Sequence, residues 1–187
     1  MHGSAGDYGP AAAVPAQPAE AAAGQARRYL AFRLGGERFG IDILRIKEII
    51  EFPGLTEVPL MPPCVRGVIN LRGAVVPVVD LAARFGREPT AVARRTCIVI
   101  VESKALGEQQ EVGVMADAVE AVLEIPAADI VPPPAFGTGI RVEFIAGMAS
   151  IDARFVILLD VDNALMLQQA PPAGSPPPAG TAPERAA

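Results

Sequence analysis

Two aspartates, Asp80 and Asp160, are the carboxylates whose placement most invites a chemical reading. They follow Gly67 and Gly147 by thirteen positions each, at the ends of apolar strand patterns. A carboxylate pair converging on one cleft can act as acid and base in hydrolysis. The same positions suit helix N-caps, because each precedes helix-compatible residues whose first amides need an acceptor. The cap reading outweighs the hydrolase reading, which requires both carboxylates to face one cleft at short range. Cys64 has no histidine in the core to activate it, the single histidine being His2. Cys97 lies in TCIVIV, where cysteine acts as a small hydrophobe. Two cysteines form neither a disulfide framework nor a metal set. The glycines of GVINLRG and LGGERFG lack the helix-opening spacing of a phosphate loop. These residues point to no catalytic group, no metal and no cofactor.

What remains is surface suited to partners. Arg72 stands in the stretch 65–85, VRGVINLRGAVVPVVDLAARF, which predicts two strands joined by a tight turn near 70–73. Gly73 supplies positive φ there. Pro77 has no amide hydrogen and predicts a sheet edge or a bulge. Asp80 caps a short helix over 81–84, with Gly86 as its stop. A long side chain at a hairpin turn projects to solvent or finds an acid. Glu48 is the expected acid, since 42–51 should lie beside the hairpin in the same lobe. As an exposed pair it would contribute little, and structural and functional roles balance evenly. Ile46, between Arg45 and Lys47, is either the core side of a strand or part of an exposed patch, core being commoner. Val131 and Phe136, in IVPPPAFG, form either an exposed apolar knob or, for Phe136, a plug for its own barrel.

The elements that must carry these residues come from 187 positions, enough for one domain or two small lobes with a real core. Net charge is -5 and no basic stripe is present, which argues against a nucleic-acid grip. No uninterrupted apolar run reaches membrane-spanning length, and 11–23 is broken by Pro15, Pro18 and Glu20, unlike a secretory signal. The expected compartment is a reducing cytoplasm. Residues 1–26 and 169–187, rich in Ala and Pro, read as mobile tails around a folded 27–168.

Along the chain, 28–34 alternates as a strand ending at Gly35 and Gly36, and 39–42 opens the return strand. Residues 43–50 read as a short helical turn and then a strand, and 112–125 repeats that pattern. Pro59, Pro62 and Pro63 hold the following link extended. Residues 96–101 form a strand, 102–111 a loop, 144–160 a second hairpin and 162–168 a closing helix. Gly40 to Pro53 and Gly113 to Pro126 share one spacing, as do Gly67 to Asp80 and Gly147 to Asp160. One unit is written twice. Five short strands per unit expose too many edges to stay flat, so two small barrels with a groove between them are expected.

The string GVINLRGAVVPVVDL, preceded by FGIDILRIKEII and followed by VGVMADAVEAVL, resembles the CheW family of chemotaxis coupling proteins from about residue 29 to 167. The resemblance implies a mainly β, CheW-like fold: two SH3-like five-stranded barrels with short helices, joined by a shared hydrophobic core and able to exchange strands. It implies a non-enzymatic adaptor between chemoreceptors and a CheA-type histidine kinase, at receptor arrays on the inner membrane. The receptor's helical hairpin tip would enter the groove between the barrels. The kinase regulatory domain would meet barrel edges or ends, and CheW–CheW or CheW–kinase rings would follow. The receptor- or kinase-binding set carried over is Ile46, Glu48, Gly67, Asn70, Arg72, Gly113, Val131 and Phe136, with Ile46 docking the kinase. The stretch holding Val131 and Phe136 is associated with ring contacts, and Val131 stands where a charged residue can occur. A coupling protein of another chemosensory-type pathway, for pilus motility or intracellular signalling, fits the same residues.

Overall fold

The computed structural model describes residues 25–167, apart from 106, 107, 135, 136 and 138. Phe136 and almost all of both tails therefore lie outside the described residues. Among the described residues, ten strands and two short helices follow in order: β1 (Ala26–Leu34), β2 (Glu37–Asp42), β3 (Ile46–Glu51), β4 (Val65–Leu71), β5 (Ala74–Asp80), α1 (Leu81–Arg84), β6 (Cys97–Ser103), β7 (Gln110–Ala116), β8 (Ala118–Pro126), β9 (Ile145–Ile151), β10 (Arg154–Leu159) and α2 (Val161–Leu165).

Lobe 1 has the strand order β8-β1-β2-β10-β9 and lobe 2 the order β3-β6-β7-β5-β4. Replacing each strand by its counterpart five places along the chain turns one order into the other, so the doubled unit is real. The halves of the chain are nevertheless not the lobes. β3 follows β2 but pairs with β6, and β8 follows β7 but pairs with β1. A 3-10 turn, Ile43–Arg45, makes the first crossing, and Asp117 alone makes the second. Each sheet closes on itself through one bridge. Thr56 exchanges backbone bonds of 3.0 and 2.8 Å with Val68, and Val131 exchanges two of 2.8 Å with Met148.

Alternation along the central strands divides the core in three. Ile98 and Ile100 of β6 fill lobe 2 with Ile69, Val76, Val78 and Met115. Tyr29, Ile125, Ala149, Val156 and Leu158 fill lobe 1. The opposite faces, Leu30, Phe32 and Leu34 of β1 against Val99 and Val101 of β6, meet in the largest cluster, which lies between the lobes.

Several sequence expectations need correction. β5 is an interior strand, not an edge; Pro77 is accommodated because the parallel ladder with β7 begins only at Val78. The link after β3 is not extended throughout but turns at 59–60 and 63–64. Glu102 and Ser103 are not loop: they pair with Glu111 and Gln110, so the hairpin runs on almost to its tip. Residues 112–125 contain no helical turn; the turn comes after Pro126, at Ala127–Asp129. The closing helix ends at Leu165, and the second hairpin is preceded by a 3-10 turn at Val142–Phe144.

Candidate functional site

The turn between β4 and β5 has two residues, Arg72 at φ 53° and Gly73 at φ 87°. That is the hairpin turn whose twist matches its strands. The Asn70 side-chain oxygen accepts from the Gly73 amide at 2.9 Å and fastens the turn, which gives Asn70 a local structural role. Arg72 then points at β3. Its Nη1 and Nη2 donate to Glu48 Oε1 and Oε2 at 2.7 and 2.8 Å, a fork-to-fork pair. The Arg72 side chain is 76% exposed and that of Glu48 26%. The bond to Glu48 raises the Arg72 pKa above its ordinary value. Val75, ladder partner of Asn70, is exposed on the same hairpin, whereas the exposed Ile49 alternates to the opposite face of β3 from Glu48.

Barrel closure is what brings this pair together: Glu48 on β3 and Arg72 on the β4–β5 hairpin belong to the same lobe, whose ends are joined by the Thr56–Val68 bridge. Gly67 and Gly113 serve the frame. A Cβ on Gly67, at φ 150°, would stand 2.5 Å from the Thr56 carbonyl oxygen that closes the barrel. A Cβ on Gly113 would stand 2.7 Å from Ile98 Cγ2 and 3.1 Å from Val78 Cγ2, inside lobe 2. Ile46 is half-buried against the shared core, which favours the core side of the two readings. Val131 is half-exposed beside β9 in lobe 1, away from the Arg72 hairpin in the fold. The structure thus brings together Glu48, Asn70 and Arg72, leaves Gly67 and Gly113 as packing positions, and separates Val131.

The two aspartates are both caps. Asp80 is fully buried; Oδ1 accepts from the Ala82 and Ala83 amides and the Thr90 hydroxyl, Oδ2 from the Thr90 amide and Arg66. Asp160, half-buried, accepts from the Asn163 amide and side chain. Every Asp80 oxygen is engaged in holding structure, which takes Asp80 out of the carboxylate pair that the hydrolase reading requires. Burial raises the thiol pKa of Cys64, against a lowering by Arg84, and raises that of Cys97.

Sequence reasoning missed a polar seam between the lobes, because its partners are far apart in the chain. Asp162 of α2 accepts from the Ser103 hydroxyl, the Lys104 amide and Arg45. Burial works to raise its pKa, but those three donors prevail and hold it below the ordinary value. Arg84 of α1 donates to the Ala164 and Met166 carbonyls of α2 at 3.0 and 2.7 Å. A cleft of about 490 Å³ opens along the lobe boundary, lined by Gly35, Ala82, Thr90, Ala91, Ala93 and Asp117 among others.

A family model described as a CheW-like domain matches residues 28–169. The chain is 32% identical over 143 residues to a chemotaxis protein CheW of Klebsiella aerogenes, covering 76% of this chain and 84% of that one. It is 34% identical over 136 residues to a probable chemotaxis protein CheW of Rhizobium etli, covering 73% and 85%. Among solved structures, the crystal structure of scaffolding protein TtCheW from Thermoanaerobacter tengcongensis matches with a TM-score of 0.68 at 34% identity, covering 75% of this chain and 88% of that one.

Proposed function

The chain belongs to the CheW-like domain family, and from that membership we propose that it is an adaptor coupling chemoreceptors to a CheA-type histidine kinase, with Arg72 and Glu48 at its partner-binding surface. The observation that carries the site assignment is the fork-to-fork pair itself. A fixed guanidinium on a two-residue turn, largely exposed and on the same hairpin as exposed Val75, offers a partner charge and apolar surface in a preset geometry. The adaptor does no chemistry of its own and calls for no cofactor. The receptor's helical hairpin tip enters the cleft at the lobe boundary, a helix-in-groove contact. The kinase regulatory domain meets barrel edges and ends, so that rings of adaptor and kinase form around receptor tips at the cytoplasmic face of the inner membrane. Control passes as a shift in how the kinase is held, for which a coupling of about 1–3 kcal/mol is enough. Among the described residues no helix is long and apolar enough to cross a membrane.

The test is a reconstituted array of receptor fragment, kinase and adaptor. Arg72→Glu should abolish receptor-dependent kinase activation while far-UV circular dichroism and melting temperature stay close to wild type, since the Arg72 side chain is largely exposed. Normal coupling by that variant would remove Arg72 from the surface.

A further inference from the structure

We propose that Leu60 is a preformed apolar anchor that inserts into a concave, uncharged pocket on the kinase's regulatory domain; this rests on the adaptor reading above. At 103% relative exposure Leu60 stands out further than any other large apolar side chain among the described residues. Its backbone lies at φ 65°, in the left-handed region that a bulky L-residue enters only under strain. A hydrophobic side chain held wholly in water on an unfavourable backbone adds nothing to this fold, and such outliers cluster where a partner is gripped.

The loop is built to hold that position. Pro59 precedes Leu60, and Pro62 and Pro63 follow it after Met61. One end is fixed by the two Thr56–Val68 backbone bonds, the other by the Val65 amide donating to the Pro62 carbonyl at 2.8 Å. Little ordering entropy remains to be lost on binding. Val58 and Met61 are also exposed, and no charged residue occurs from 58 to 65, so the matching surface is apolar and neutral. The loop's foot on β4 lies about 13 Å along the strand from Arg72, which makes the anchor continuous with the site already assigned. Of the two partners, a helical receptor tip is convex and needs a groove. A protruding knob needs a hollow in a folded domain, which selects the kinase.

The experiment measures binding of the full chain to the purified kinase regulatory domain and, separately, to a receptor cytoplasmic fragment, by calorimetry. Asn tolerates left-handed backbone, so Leu60→Asn should hold or raise the melting temperature while weakening kinase-domain binding about 10–100-fold and leaving receptor-fragment binding unchanged. Leu60→Met should keep kinase binding within about threefold of wild type. Wild-type kinase affinity in Leu60→Asn overturns the anchor alone. A lowered melting temperature, or equal losses toward both partners, makes Leu60 a structural residue and overturns it as well. A wild-type chain that binds neither partner overturns the adaptor reading and the anchor with it.

Discussion

Asp80 and Asp160 occupy matching places in the doubled unit and do unequal work. Asp80 holds five donors from α1, Thr90 and Arg66, all gathered around a carboxylate with no access to water. Removing it takes the ion-pair partner from Arg66 and leaves the buried amides of Ala82 and Thr90 and the Thr90 hydroxyl without their acceptor, so Asp80→Ala should cost about 3–5 kcal/mol. The Asp160 side chain, among the described residues, serves only Asn163, and Asp160→Ala should cost about 0.5–2 kcal/mol, the worth of a simple cap. Urea denaturation of the two variants checks the contrast, and equal losses would refute it. The caps were legible from sequence because a cap is a local bond. So was the Arg72–Glu48 pair, because a hairpin turn with 42–51 beside it in the same lobe leaves few acids in reach. Thr90 and Arg66 were not legible as partners of Asp80, since nothing near either residue says that the 87–96 connector folds back over the carboxylate.

At the scale of elements, the exchanged strands carry matched bulges. Ile46 and Glu48 oppose Val101 and Ile100, leaving Lys47 over; Val119 and Ala121 oppose Phe32 and Ala31, leaving Glu120 over. Lys47 pairs at 2.5 Å with Glu102, whose ladder partner is Glu111. Glu120 takes both Arg33 and Arg38, ladder partners of each other, at 2.5 Å. The charges are reversed between the two groups, with Glu111 attracting Lys47 at longer range rather than pairing with it. The repeat itself was readable because Gly40, Gly113, Gly67 and Gly147 mark close approaches that a Cβ would block. The exchange was not, since apolar alternation runs straight through Asp117 and nothing local tells β8 which sheet to join. The bulge also sets a pH response. The bond from Arg33, opposed by burial and supported by Arg38, lowers the Glu120 pKa. A folded pKa below the unfolded one stabilises the protein above the unfolded value and loses that contribution as pH falls through the folded one. Glu120→Gln should therefore be less stable than wild type at neutral pH, with the gap closing on acidification below the ordinary glutamate range. Urea midpoints across that range test this, and a gap independent of pH would contradict it.

For the whole molecule, the shared core ties the two lobes together. Lobe 2 is one unbroken run, β3 to β7, set between β2 and β8, whereas lobe 1 takes β1 and β2 from before that run and β8, β9 and β10 from after it and has no continuous segment of its own. Four aromatic rings run through the boundary: Phe32, Phe39, Phe85 and Phe144, with successive centroids 6.0, 5.9 and 5.8 Å apart. Phe85 comes from the segment ending α1, beside lobe 2, while the other three belong to elements of lobe 1. Asp162 and Arg84 stitch the same boundary with polar contacts. A receptor held in the boundary cleft and a kinase held on the outer surface would then bias one rigid body rather than two hinged ones. This has a calorimetric consequence. The wild-type chain should unfold in one transition whose calorimetric and van't Hoff enthalpies agree. Phe39→Ala, which empties a fully buried site facing both lobes, should cost about 3–5 kcal/mol and lower the single melting point by about 10 °C without splitting it. Two resolved transitions in the variant, one near the wild-type temperature, would mean that lobe 2 stands without lobe 1 and that signals cross a hinge instead.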